Sequence, residues 1–149
     1  MSENTSPIEI GFLVFPNVQQ LDLTRPYEVF ASWPAARVRL VWKTLQPILS
    51  STKLFLTPDA TFETCPQLDV LCVPGGAGIN ALLADEETIQ FVRRQAEAAR
   101  FTTSICTGAL LLGAAGLLKG KRATTHWASH DLLQNLGAIP VRERVVRDG

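Results

Sequence analysis

The chain has 149 residues, of which 46% are hydrophobic and 19% charged, a composition typical of one globular domain and not of a disordered chain. Fourteen basic and fourteen acidic residues cancel, which argues against partners such as nucleic acid or an anionic membrane. The apolar runs are too short to span a bilayer, and the N-terminus lacks a signal-peptide pattern. Three cysteines without paired spacing suit a reducing compartment. We therefore expect a cytoplasmic protein.

Strand and helix patterns alternate along the chain. Buried strands are predicted at residues 8–15, 68–76 and 101–106, and shorter ones at 38–42, 53–57, 121–125 and 142–147. The first two are almost continuously apolar, which is typical of parallel strands covered on both faces. Helices are predicted over 85–101, with Asp85 as the N-cap, over 109–120 and over 129–137. The alternation predicts an α/β fold with a doubly wound, mainly parallel sheet.

The three buried strands end in residues that are suited to chemistry. Asp22 lies in the segment after the first strand, Gly75 and Gly76 end the second, and Cys106 ends the third. Open α/β sheets bind ligands at the carboxyl ends of their strands. We therefore expect these residues to share one site.

Cys106 stands between a strand and a helix, the position of a nucleophile elbow. The helix N-terminus is expected to lower the pKa of the thiol, and the N–H groups of Thr107 and of Gly75 or Gly76 to stabilise a developing negative charge. Position 104 is serine where the elbow pattern has glycine. Spacing alone therefore leaves open whether this cysteine is a nucleophile or a buried, inert side chain.

The other cysteines and the two histidines carry weaker signals. Cys65 and Cys72 are interpreted as structural. His126 and His130 are four residues apart, which predicts one helix face, but further ligands for zinc are missing, so no metal site is predicted. We expect His126 to approach the rim that carries Cys106 and His130 to face solvent.

Four segments together resemble a known family: QQLDLTRPYEVF, LDVLCVPGG, SICTGALLLGAAGLLKGKRATTHW and GAIPVRERVVRDG. Over residues 8–149 the chain resembles the ThiJ/PfpI superfamily, the cysteine-elbow relatives of glutamine amidotransferases, and within it the isonitrile hydratase branch. This resemblance implies a flavodoxin-like domain that forms a homodimer, with Cys106 as nucleophile, Asp22 as its acidic partner and Thr107 beside them. It also implies hydration of a small apolar isocyanide to a formamide without a metal or organic cofactor.

The chain departs from the pattern of that superfamily in two places. Arg25 stands where the family usually has glycine, and Pro26 is expected to keep it extended at the rim of the pocket, where its charge would pair with Asp22 or lower the pKa of Cys106. The chain ends at Asp-Gly, a hairpin signal, so residues 1–149 are expected to form a single domain that lacks the C-terminal strand and helices of the family. A ligand-sensing or oxidative-stress domain without hydratase activity, other chemistries of the superfamily, or an inactive truncated relative remain as alternatives.

Overall fold

The elements of the chain are taken from a computed structural model that describes residues 6–149. In chain order they are β1 (Ile8–Leu13), α1 (Gln20–Ala31), β2 (Ala36–Trp42), β3 (Ile48–Leu49), β4 (Phe55–Leu56), β5 (Ala60–Thr61), β6 (Val70–Val73), α2 (Ile79–Leu82), α3 (Glu86–Ala98), β7 (Phe101–Ser104), α4 (Gly108–Ala114), β8 (Arg122–Ala123), α5 (His130–Asn135) and β9 (Ile139–Pro140). A single 3-10 turn, Trp127–Ser129, leads directly into α5. None of the helices in the described part of the chain is long and apolar enough to cross a membrane.

The centre of the fold is a parallel sheet of five strands in the order β5-β2-β1-β6-β7. From β1 the chain moves outward to β2 on one side, and from β6 it moves outward to β7 on the other. The strand order therefore reverses between β1 and β6, which is where open α/β sheets form their binding crevice. The two remaining pairs are an antiparallel hairpin of β3 and β4 and a short parallel pair of β8 and β9.

Helices flank the sheet and close its core. Phe12 of β1 packs against Tyr27 and Phe30 of α1, with ring centroids 6.1 and 6.4 Å apart. Phe91 of α3 stacks on Phe62 at 4.3 Å. The helix α4 is buried over almost its whole length. These contacts confirm the predicted α/β class and its doubly wound, mainly parallel sheet.

The N-terminus of α3 is held by the predicted cap. The Asp85 carboxylate accepts hydrogen bonds from the backbone N–H of Thr88 at 3.4 Å and from its hydroxyl at 3.2 Å. It also pairs with Lys43 at 2.5 Å. The cap satisfies N–H groups that the first turn of a helix leaves without a partner.

Two predicted conformations are wrong. The segment that contains Arg25 and Pro26 is helical, not extended, because α1 runs through both residues. A proline restricts the residue before it but does not forbid the helix, and burial of Leu23 with the contacts of Tyr27 and Phe30 stabilises it. Residues 142–147 form no strand; the short strand of this region is β9, which pairs with β8.

The strand β7 is also less buried than its position in the chain suggests. The side chains of β7 alternate between exposed and partly buried, and Phe101 is 46% exposed. Within the described sheet β7 has a neighbour on one side only, β6. Its place in the sheet, which sequence patterning does not reveal, accounts for the difference.

Candidate active site

The carboxyl ends of β1, β6 and β7 bring Asp22, the Pro74–Gly76 turn and Cys106 to one edge of the sheet. The Gly75 N–H donates to Oδ2 of Asp22 at 3.3 Å, although 53 residues separate them in the chain. The Gly75 carbonyl accepts from the N–H of Gln19 at 2.8 Å, just before α1. The turn after β6 therefore holds the start of α1, and with it the carboxylate, against the elbow.

Cys106 adopts the left-handed backbone conformation of a nucleophile elbow, with φ of +54°. This conformation is unfavourable for a residue with a Cβ. Two glycines make room for it. A Cβ on Gly75 would lie 2.8 Å from the Cβ of Cys106, and a Cβ on Gly108 would collide with the carbonyl oxygen of Val73. The strand, the turn and α4 thus approach one another as closely as their backbones allow.

Asp22 lies in the first turn of α1 and is partly buried beside the thiol. Burial raises the pKa of its carboxyl group above the ordinary value of 3.8, and the Gly75 N–H and the Cys106 thiol only partly offset this effect. A carboxylate that is easier to protonate than usual is a better proton acceptor. The neighbouring proton donor is the Cys106 thiol.

The predicted lowering of the thiol pKa is wrong. Burial raises the pKa of Cys106 above its ordinary value, the Thr107 N–H lowers it, and the negative charge of Asp22 raises it again. The helix α4 has only seven residues, and desolvation together with the neighbouring carboxylate outweighs its N-terminus. The proton is therefore held more tightly on the Cys106 thiol than on a free cysteine, and the carboxyl group of Asp22 lies beside it.

Thr107 ties the elbow to the turn after β6. Its hydroxyl oxygen accepts from the Gly76 N–H at 3.1 Å and its hydroxyl group lies 3.4 Å from the Gly76 carbonyl. The N–H groups of Gly75 and Gly76 are thus directed at Asp22 and Thr107. Their role as donors to a negatively charged intermediate stays a prediction.

A cavity of about 550 Å³ opens over Cys106 and Thr107. Its remaining lining mixes polar and apolar residues: Gln19, Gly76, Ala77, Asn80, Leu110, His126, Ser129 and Leu132. Sequence reasoning missed most of them. Leu110 and Gln19 carried a signal, because they lie four residues after Cys106 and three before Asp22, each one helical turn from a predicted site residue.

The remaining predicted site residues are placed as follows. His126 lines the cavity as expected, and its Nδ1 accepts from the Ala128 N–H at 3.3 Å. Arg25 is exposed and makes no ion pair with Asp22 within 4.0 Å, although its charge lowers the pKa of that carboxyl group, and its place at the rim stays a prediction. His130 is buried instead of facing solvent, because it begins α5 and turns inward toward Thr124, whose Oγ1 lies 3.4 Å from its Nε2.

The other two cysteines behave as structural residues. Cys72 is buried in β6, and Cys65 is partly buried. Burial raises the pKa of both thiols to about 11. Among residues 6–149 no group of three or more His, Cys, Asp or Glu side chains is arranged to hold a metal ion.

Comparison with known proteins finds one matching family model and several relatives. The DJ-1/PfpI family model matches residues 9–149. An isonitrile hydratase of Pseudomonas putida is 67% identical over 142 residues, which cover 95% of this chain and 62% of that protein. The HTH-type transcriptional regulator GbdR of Pseudomonas aeruginosa is 33% identical over 84% of this chain and 35% of its own length. The crystal structure of a ThiJ/PfpI family protein from Pseudomonas syringae superposes with a TM-score of 0.92 at 45% identity, over 95% of this chain and 60% of that one. The chain therefore spans about six-tenths of the length of the P. putida and P. syringae proteins.

Proposed function

The chain belongs to the DJ-1/PfpI family, and from this premise we propose that it is an isonitrile hydratase. The reaction adds water to a small apolar isocyanide, R–N≡C, and yields the formamide R–NH–CHO. In this proposal Cys106 is the nucleophile, Asp22 moves the proton, and Thr107 positions the elbow. The proposal rests on 67% identity to the P. putida isonitrile hydratase and on the site geometry.

The observation that carries the proposal is the pairing of the Asp22 carboxylate with the Cys106 thiol, which lines the cavity. Asp22 and Cys106 influence each other's pKa, and burial raises both above their ordinary values. An isocyanide carbon must accept both a nucleophile and a proton. A thiol beside a carboxylate supplies the two from adjacent atoms.

In the first half of the reaction the thiol adds across the terminal carbon. The sulfur of Cys106 forms the S–C bond while Asp22 takes the thiol proton and delivers it to the same carbon. The product is a thioimidate, R–N=CH–S, on the enzyme. The apolar side chains of Leu110 and Leu132 line the cavity and would hold the R group.

In the second half water replaces the sulfur. Asp22 takes a proton from water as the oxygen attacks the thioimidate carbon, and it passes this proton to the nitrogen, which gives the adduct R–NH–CH(OH)–S. Collapse of this adduct forms the C=O bond, breaks the C–S bond and releases the formamide, while Asp22 carries the hydroxyl proton to the departing sulfur of Cys106. The sum is one isocyanide and one water consumed for one formamide formed.

The test is turnover of a simple alkyl isocyanide. The purified protein is incubated with cyclohexyl isocyanide, and formamide is followed by NMR, with Cys106→Ala as the inactive control and Cys65→Ala as the matched cysteine control. We expect turnover by the wild type and by Cys65→Ala but not by Cys106→Ala. No turnover by a folded protein overturns the proposal, and saturable binding without turnover would favour the ligand-sensing alternative.

We also propose that two copies of the chain associate through α1. Leu21, Val29 and Trp33 are 49%, 66% and 44% exposed and follow one another along one side of this helix and its C-terminal end. Arg25 and Glu28 lie on the exposed side of the same helix, so an antiparallel crossing of two α1 helices brings opposite charges together. Such a surface is self-complementary under a two-fold axis. In analytical ultracentrifugation we expect the wild type to sediment as a dimer and Val29→Asp as a monomer. A wild type that sediments as a monomer refutes the proposal.

A cytoplasmic location is proposed from the cysteines. All three are free thiols in the described structure, and the proposed reaction needs one of them reduced. A reducing compartment keeps thiols in that state. Fractionation of the source cells tests the location, and recovery of the protein outside the cytoplasm contradicts it.

A further inference from the structure

Thr125 contacts the backbone of the elbow from a distant part of the chain. Its hydroxyl donates to the carbonyl oxygen of Cys106 at 2.9 Å, across 19 residues. Neither the elbow motif nor the proposed chemistry assigns a role to this side chain. The contact falls on the one residue of the elbow whose φ is positive, so it acts where the backbone is least favourable.

The carbonyl of Cys106 and the N–H of Thr107 belong to the same peptide unit. Because this unit is planar and trans, the two groups point in opposite directions. The Thr107 N–H interacts with the thiol of Cys106 and favours its ionised form. A hydrogen bond that fixes the carbonyl on one side therefore also fixes the direction of the N–H on the other.

The segment that carries Thr125 is itself anchored. It follows β8, whose last residue, Ala123, accepts from the N–H of Val141 at 2.8 Å. Oγ1 of Thr124 lies 3.4 Å from Nε2 of the buried His130. The donor of Thr125 is thus held by contacts that are independent of the elbow.

We propose that Thr125 is a positioning residue, which holds the Cys106–Thr107 peptide so that the Thr107 N–H points at the reacting sulfur. The part of this inference that concerns turnover rests on the proposed function, since both concern the same nucleophile. For the reactivity of the thiol it stands by itself.

The test compares Thr125→Val, which keeps the shape and removes the donor, with Thr125→Ser, which keeps the donor. The rate of alkylation of Cys106 by iodoacetamide is measured against pH, with peptide mapping to identify the labelled cysteine. Loss of one hydrogen bond is expected to slow alkylation by Thr125→Val about five- to tenfold at neutral pH and to move its pH profile to higher pH. The titratable groups near the thiol are unchanged in both variants: Asp22, which contacts it, His126, which lines the cavity, and His130 with the charged residues among 121–122 and 142–148, which line a second cavity with Cys106.

The Ser variant and a neighbouring substitution separate positioning from stability. Thr125→Ser is expected to restore most of the wild-type alkylation profile, and Thr124→Val, which removes one of the two anchors of the segment but leaves the Thr125 donor in place, to slow alkylation less than Thr125→Val does. In the hydration assay Thr125→Val should lower kcat with little effect on KM. The thermal midpoint of each variant confirms that it is folded at the assay temperature.

The outcomes are distinguishable. A folded Thr125→Val with the wild-type alkylation profile overturns the inference, and so does a Thr125→Ser variant that is as slow as Thr125→Val. If the wild type shows no hydration but the alkylation profile shifts in Thr125→Val and returns in Thr125→Ser, the proposed function fails and the positioning role stands.

Discussion

Replacing Gly75 by alanine tests how closely the turn after β6 must approach the elbow. The added Cβ would lie 2.8 Å from the Cβ of Cys106, 2.8 Å from the backbone nitrogen of Thr107 and 2.9 Å from its Oγ1. Two of these atoms are rigidly attached to the backbone. The new methyl group therefore displaces the elbow or the turn, because no flexible side chain can make way for both contacts.

The size of the effect follows from the overlap. Ordinary van der Waals contact begins at 3.4 Å, so the backbones must separate by about 0.6 Å, and misplacement of a reacting group on this scale costs roughly 10- to 100-fold in rate. Overpacking of this kind also costs about 1–3 kcal/mol in the free energy of unfolding. For a chain of this length that is a fall of roughly 2–12 °C in the thermal midpoint.

The assay separates the two effects. Gly116→Ala is the matched control, because Gly116 has φ of +79° and no heavy atom within 4 Å of its added Cβ, so it also loses about 1–2 kcal/mol through backbone strain. Alkylation of Cys106 and hydration are measured for both variants at a temperature where each is folded. We expect Gly75→Ala to be slow in both reactions and Gly116→Ala to match the wild type.

One result would refute this reasoning. If Gly75→Ala is destabilised as much as Gly116→Ala but alkylates and hydrates at the wild-type rate, the close approach of the turn serves packing only. The elbow would then tolerate a shift of the turn relative to Cys106.

Three further predictions concern charged residues. Asp22→Asn removes a negative charge that raises the pKa of the Cys106 thiol, so alkylation of Cys106 at neutral pH should become faster. The rate of hydration should fall by about 100-fold or more, because the proton carrier is lost. Slower alkylation would contradict the pairing of Asp22 with Cys106. Burial raises the pKa of Asp22 and the charge of Arg25 lowers it, so Arg25→Gln should move the acidic limb of the pH–rate profile to higher pH, and by less at high salt. The value of kcat at the optimum pH should stay within about twofold of the wild type. An acidic limb that does not move rules out this coupling. Asp85→Ala should cost about 1 kcal/mol at pH 7 through the lost cap. Burial raises the pKa of Asp85, but Lys43 and the Thr88 N–H outweigh the effect of burial and hold this pKa below 3.8. The stabilisation by the cap is therefore present above pH 3.8 and is lost as the pH falls through the lowered pKa. In urea unfolding, the difference in the free energy of unfolding between wild type and Asp85→Ala should be smaller at pH 3 than at pH 7.

The sequence was sufficient to predict the features that depend on local pattern. Two near-continuous apolar runs marked parallel strands, and Asp85 marked the start of α3, because burial on both faces and capping each have a short-range signature. The meeting of Asp22, Gly75 and Cys106 followed from one general property of parallel sheets, the shared edge of their carboxyl ends.

Features that depend on neighbours distant in the chain were not predictable in the same way. Nothing in residues 101–104 indicates how many strands flank β7, and nothing near His130 indicates that it turns inward. The rise in the pKa of Cys106 required its burial and its distance from Asp22, and both are tertiary. Thr125 lay within a motif that was noticed, yet its contact with the elbow depends on where the segment after β8 returns to the sheet.

The proline within α1 has a consequence for motion at the site. Pro26 has no amide hydrogen, so the carbonyl of Asp22, four residues earlier, lacks the intrahelical partner that any other residue would supply. The first turn of α1 can therefore open without breaking a hydrogen bond at that point, and the Gly75 N–H is one contact that keeps the acid beside the thiol. Separation of the Asp22 carboxylate from the sulfur would then be a local fluctuation on a millisecond or faster timescale. Relaxation-dispersion NMR at Leu23 and Thr24 would detect this motion, and a ligand bound in the cavity would suppress it.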